Sequence, residues 1–140
     1  LPFADHTFDV VTCMDMLEHV DRPGDVIKEA ARVLKPQGLF FYHTFNRTFL
    51  GWFIAIKLVE WFVKNTPKHM HLWRMFITLK EMSQYLKAAG FENVELKGLS
   101  PNLSKLRLRD FLSGSVPVGF DFRLSNNKTV TYLGYARKTD

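Results

Sequence analysis

The pattern that most constrains this chain is a strand, a helix and a second strand joined by short turns within residues 7–45. Phe8-Asp9-Val10-Val11-Thr12-Cys13-Met14 is short, rich in β-branched residues and poor in charge, which predicts a buried strand. Over residues 22–35, Val26, Ile27, Ala30, Ala31, Val33 and Leu34 recur at helical spacing, with Pro23 near the start. Lys35-Pro36-Gln37-Gly38 ends that helix, and Gly38 is the residue expected to take a positive φ. Leu39-Phe40-Phe41-Tyr42-His43-Thr44-Phe45 reads as a second buried strand. Such a βαβ unit requires parallel pairing and a right-handed crossover, so the expected class is α/β.

In a parallel sheet, sites form where strands end at their carboxyl edge. Asp15, Glu18 and His19 fall at that edge. Two carboxylates and an imidazole within five residues suit Mg²⁺, Mn²⁺ or Zn²⁺. The same spacing is equally met if Asp15 caps a turn and Glu18 and His19 are solvated. Cys13 reads either as a reactive thiol or as a small buried strand residue. His69 and His71, two apart in a connector, could be a base, a ligand or surface residues. Lys105, Arg107 and Arg109 alternate with Leu106 and Leu108, as on an edge strand with a basic face or a phosphate contact.

Composition narrows the classes. The chain has 140 residues, 46% hydrophobic and 24% charged, which suits one globular domain. Its single cysteine excludes an internal disulfide and fits a reducing compartment. A formal charge of +5 suits anionic surfaces, but no nucleic-acid motif accompanies it, and no nucleic-acid partner is expected. No start methionine or targeting segment precedes the first strand, so the chain reads as a fragment whose flanking strands lie elsewhere. Nowhere does G-x-G occur, so a nucleotide-binding loop would have to come from outside these residues.

After the second strand the composition changes. Twelve of the fifteen residues 49–63 are apolar, with Lys57, Glu60 and then Lys64 on one narrow helical stripe. The run is shorter than the ~20 residues that span a bilayer. It is either a helix buried in protein or one lying in a membrane interface, with Trp52 and Trp61 at the headgroups. Residues 65–76 form a connector. Residues 78–89 read as an amphipathic helix opened by a Thr78–Glu81 capping box and closed at Gly90. Residues 91–98 form a strand, and 120–124 with 129–136 flank Ser125-Asn126-Asn127-Lys128 as an antiparallel hairpin. Residues 101–119 carry no assignable pattern, and no internal repeat is present.

Taken in order, Leu1-Pro2-Phe3, Phe8-Asp9-Val10-Val11, Leu17-Glu18-His19-Val20 and Leu34-Lys35-Pro36-Gln37-Gly38 resemble the second half of a class I S-adenosylmethionine-dependent methyltransferase. Within that superfamily, Cys13-Met14-Asp15-Met16-Leu17-Glu18-His19-Val20 is most similar to the ubiquinone-biosynthesis O-methyltransferases, which read C-M-E-M-L-E-H-V there. Thr44-Phe45-Asn46-Arg47 is similar to their T-x-N-[RK], and Pro67-Lys68-His69-Met70-His71-Leu72-Trp73 to their P-K-G-T-H-x-W. Three stretches depart from the family: Asp15 replaces glutamate, His69-Met70 replace Gly-Thr, and Ser100-Pro101-Asn102 stands for Y-N-P. Residues 103–128 match nothing in it.

The resemblance implies a Rossmann-like sheet whose last strand inserts antiparallel, with residues 1–140 as the C-terminal part of a single methyltransferase domain. This chain would supply strands four to seven, with the apolar helix at 49–64 as an insertion. It implies S-adenosylmethionine as cofactor, faced by the backbone of Cys13 and Met14, and Mg²⁺ or a similar cation on Asp15, Glu18 and His19. His71 would be the base for a polyprenylated phenol or quinol, whose hydroxyl a divalent ion would acidify and orient. An anionic membrane surface and a ubiquinone-biosynthesis complex are the implied partners. The implied location is cytoplasmic and peripheral to the inner membrane, or on the mitochondrial matrix side. Two alternatives stay open. One is a metal-independent methyltransferase with Glu18 and His19 as acid–base groups, the other a non-catalytic, membrane-associated methyltransferase-like module.

Overall fold

The computed structural model describes residues 1–53, 73–101 and 121–140. His71, His69, most of the apolar run after Phe53 and the Lys105–Arg109 alternation lie outside the described residues.

β1 (Phe8–Met14), α1 (Pro23–Val33) and β2 (Leu34–Phe45) form the expected unit, and β1 pairs parallel to β2. Pro23 sits in the first turn of α1, where a missing N–H costs nothing. The helix buries Ile27, Ala30, Ala31 and Val33, and a fully buried side chain such as Ile27 or Val33 contributes about 1.5–3 kcal/mol. Its end is abrupt: Leu34 is already extended, at φ −76° and ψ 138°.

The turn that follows departs from expectation. The positive φ, 65°, belongs to Gln37 and not to Gly38. Gly38 is there for space, since a Cβ on it would come within 2.9 Å of the Lys35 carbonyl and 3.1 Å of the Asp9 carbonyl. Here β2 loops out against β1, with Phe8 opposite Leu34 and Val10 already opposite Leu39.

After β2, α2 (Phe49–Trp52) describes only the first turn of the apolar run, capped by the Thr48 hydroxyl accepting from the Gly51 N–H at 2.9 Å. α3 (Leu79–Ala88) carries both halves of the predicted capping box, and Gly90 follows it at φ 78°. β3 (Phe91–Pro101), β4 (Phe122–Ser125) and β5 (Thr131–Lys138) complete a five-stranded sheet in the order β1-β2-β5-β3-β4.

The predicted hairpin is overturned by that order. β4 and β5 are not neighbours; β3 separates them, and β4 pairs with Gly98–Pro101 of β3. Local turn chemistry at residues 125–128 permits a hairpin, but β5 gains two ladders by entering between β2 and β3, antiparallel to both. The implied antiparallel last strand is therefore β5.

α1 and α3 cover one face of the sheet, meeting Phe40, Tyr42, Tyr132 and Ala136 in the main core. The two buried tyrosines each donate a hydrogen bond, Tyr42 to Asn93 Oδ1 and Tyr132 to the Ile77 carbonyl, both at 2.9 Å. Burial pushes both phenols well above their usual range. β1 was expected to be buried and is not: Cys13 is 5% exposed, whereas Val10 and Met14 are both 48% exposed. Among the described residues β1 lies at the edge of the sheet, where Cys13, Val11 and Phe8 meet the main core. Among the described residues, no helix is long and apolar enough to cross a membrane.

Candidate active site

The site is built where β1 and β2 end. Asp15 leaves β1 in the left-handed region, at φ 50°, which a short polar side chain tolerates better than most. Leu17–His19 then forms a single 3-10 turn before α1. Met14 lies opposite His43 in the ladder, so the end of β2 is the nearest source of partners for this loop.

Two carboxylates from the loop meet two consecutive residues of that strand. Asp15 Oδ1 lies 2.6 Å from His43 Nδ1. Glu18 Oε2 accepts the Thr44 hydroxyl at 2.7 Å. Successive strand residues face opposite sides of a sheet, so the pairs are segregated. Glu18 is 1% exposed and belongs to the side covered by helices; the Asp15 side chain is 61% exposed and that of His43 12%. A carboxylate only accepts, so the hydrogen of this contact is carried by Nδ1 of His43. The other ring nitrogen, Nε2, is buried with no hydrogen-bond partner among the described residues, as is Glu18 Oε1.

These placements separate the residues predicted as a metal site. His19 is exposed at the end of the turn, Glu18 points into the core and Asp15 is held by His43. A divalent ion needs several donors converging on one point. Among the described residues, no three His, Cys, Asp or Glu side chains do so. The donor set as arranged does not fit a metal. The physical reason is the pleat of β2: Asp15 and Glu18 contact the consecutive residues His43 and Thr44, which face opposite sides of the sheet.

Cys13 is buried, and its thiol is pushed up to about 11 by burial and then by the charge of Glu18. A thiol so raised is protonated at neutral pH and is a packing residue, not a nucleophile. Met14, at the carboxyl end of β1, is half exposed. His43 was read only as strand, and Thr44 as strand and as the first residue of a family motif, neither with a place at the site. The available signal was their place in the last positions of β2, beside the loop after β1 in a parallel pair.

Nearby, Arg47 donates to Glu81 Oε1 and, at 3.2 Å, to the Arg74 carbonyl, tying the exit of β2 to the start of α3. Burial alone would raise the Glu81 pKa, but the Thr78 hydrogen bonds and Arg47 more than offset it, and the carboxyl is held below its usual range.

Residues 2–96 match the family described as Methyltransferase domain. The chain belongs to this methyltransferase family. It is 34% identical over 132 residues to a ubiquinone biosynthesis O-methyltransferase of Burkholderia orbicola, covering 94% of this chain and 51% of that protein. With the protein of the same description from Marinobacter nauticus the identity is 38%, over 94% of this chain and 50% of the relative. The methyltransferase chain thus spans about half the length of the curated relatives it matches. Its fold superposes on a crystal structure from Thermotoga maritima, described as a SAM-dependent methyltransferase and possible histamine N-methyltransferase. The TM-score there is 0.63 and the identity 21%, over 99% of this chain and 60% of the other. The mixed sheet with its inserted antiparallel strand is therefore the Rossmann-like class I methyltransferase fold.

Proposed function

We propose that this chain is the C-terminal part of an S-adenosylmethionine-dependent O-methyltransferase that methylates a phenolic or catechol polyprenyl precursor in ubiquinone biosynthesis. The observation that carries the reading is the match over 132 residues to relatives described as ubiquinone biosynthesis O-methyltransferases. The site supports it: β1 and β2 end side by side, and there sit a half-exposed Met14 and an imidazole with an unpartnered nitrogen. In this reading the backbone of Cys13 and Met14 faces the sulfonium cofactor, which supplies an electrophilic methyl group when bound. The residues around His43 receive the ring hydroxyl. Metal assistance is left out, because Asp15, Glu18 and His19 do not converge.

The polyprenyl tail would leave toward the apolar segment that opens at α2. Phe49 is 76% exposed and packs on Trp52 with ring centroids 5.3 Å apart, an aromatic lip of the kind that sits in a membrane interface. Peripheral binding to an anionic membrane, on the cytoplasmic or matrix side, and contact with other enzymes of the pathway belong to the same proposal.

The test is methyl transfer by the full-length protein to a short-tailed 6-alkyl catechol, followed by mass spectrometry with labelled cofactor. A methylated ring oxygen is expected. Cofactor binding without transfer would favour the non-catalytic module. Transfer that stops with EDTA and returns with Mg²⁺ would restore the metal reading.

A further inference from the structure

We propose that Phe45, Trp52 and Phe49 form an aromatic track for the part of the prenyl tail nearest the substrate ring, so that the exit of β2 selects tailed over untailed substrates. The inference rests on the substrate reading above and goes beyond it in naming the residues that hold the tail between the strand ends and the surface.

The rings follow one another from the carboxyl edge of the sheet outward. His43 and Phe45 have ring centroids 6.4 Å apart. Phe45 stacks on Phe76 at 5.1 Å, with 20° between the ring planes. Trp52 packs on the same Phe76, and Phe49 lies against Trp52 at 5.3 Å. Phe76 is buried and makes the floor of the row, whereas Phe45 and Trp52 are partly buried and Phe49 opens to solvent. This cluster is separate from the main core, which lies under α1 and α3.

The row is also fixed in place. The Ile77 N–H donates to the Phe45 carbonyl at 3.1 Å, and Arg47 donates to the Arg74 carbonyl, so the stretches that carry Phe45 and Phe76 are tied twice. On the other flank Asn46 is buried and donates through Nδ2 to the Lys128 carbonyl and through its backbone N–H to the Val130 carbonyl, both at 2.8 Å. The Thr48 hydroxyl donates to the Thr129 carbonyl at 2.6 Å. At Gly51 a Cβ would come within 2.5 Å of the Asn46 carbonyl, so α2 lies pressed against the exit of β2. Rings held in this way need not be ordered when a ligand arrives, and such preorganisation adds affinity.

The chemistry of the row selects its occupant. Phe45, Phe49 and Phe76 offer no hydrogen-bonding group, so a polar ligand would lose water there without compensation. An apolar chain gains from every ring it covers, in proportion to the area removed from water. The inner end of the row lies beside His43, where the substrate ring is placed, and the outer end meets solvent at Phe49. An apolar chain attached to a ring at the site satisfies both ends; an acyl chain of a lipid satisfies only the outer one.

The experiment uses the full-length protein with S-adenosylmethionine in buffer free of lipid and detergent. Its substrates are three catechols that differ only in one ring substituent, a methyl, a dimethylallyl or a geranyl group. For the wild type, kcat/KM should rise with each added isoprene unit. In Phe49→Ser the ratio of kcat/KM between the geranyl and methyl compounds should fall about tenfold, mostly through KM for the geranyl compound. Phe49→Trp should keep most of the ratio, and Trp52→Leu should lower it. The open position of Phe49 lets its variants carry the test if Trp52→Leu does not fold, as judged by circular dichroism.

A ratio unchanged in Phe49→Ser would overturn the inference. So would a ratio that falls only when anionic vesicles are added, which would make Phe49 a lipid contact, or equal losses for all three substrates, which would make the row a packing element. A wild type that methylates the three compounds equally well also overturns it. Each of these results leaves the methyltransferase reading standing, whereas a wild type that methylates none of them overturns both.

Discussion

Two carboxylates that lie three residues apart, Asp15 and Glu18, meet adjacent residues of β2 and end in opposite environments. Glu18 is sealed against Thr44, and its hydrogen bond ties the loop to the sheet. Asp15 stays half in water on the other side and holds an imidazole. The difference teaches that the two faces of one strand end set opposite environments for carboxylates only three residues apart. The buried pair ties the loop to the sheet, and the other pair leaves the Asp15 carboxylate largely in water.

Breaking the buried pair should have the largest effect on stability. Glu18→Ala removes a 1%-exposed side chain and strands the Thr44 hydroxyl, so urea denaturation of the full-length protein should show a loss of about 3 kcal/mol. Thr44→Val keeps the shape and leaves the carboxylate without its donor, at about 2 kcal/mol. The double replacement Thr44→Val with Glu18→Leu should cost less than the two single losses added, because both stranded groups are then gone. Additive losses would show that the two side chains do not act as a pair.

The capping box supplies a second Thr–Glu pair, this one at the surface, against which the buried one can be measured. Thr78→Ala should cost about 1 kcal/mol. The Glu81 carboxyl is held below its usual range, so its contribution is fully present above the unfolded value, near about 4.3. It is lost as pH falls through the lower folded value. The stability gap between wild type and Glu81→Gln should therefore close in acid. A gap that stays constant from neutral pH into acid would remove the carboxylate from the account.

Smallest of all should be the effect of Asp15→Asn on stability, within about 0.5 kcal/mol, because the side chain is largely solvated and asparagine tolerates the left-handed backbone. A loss as large as that of Glu18→Ala would erase the distinction between the two faces.

Much of the frame was legible in the order of residues. The βαβ unit, the capping box and the carboxyl-edge location of the site follow from periodicity and turn chemistry, because both act over a few residues and leave a local record. The family resemblance rested on the same local signatures, above all the loop after β1 and the Leu34–Gly38 turn. His71 and the apolar run beyond Phe53 lie outside the described residues, and the readings made of them stand as proposals.

What the tertiary structure decided was every question about partners. That β5 lies between β2 and β3, and so cannot pair with β4, depends on ladders between residues far apart in the chain. That Asp15 and Glu18 do not converge depends on which side of β2 each one meets. That His43 belongs to the site depends on register, since Met14 opposite His43 is a property of two strands and not of either sequence alone. Local sequence determines the direction and alternation of a strand; only its neighbours determine what each alternate face is opposite. Here that second step placed one carboxylate in a buried contact with Thr44 and the other in a largely solvated contact with His43.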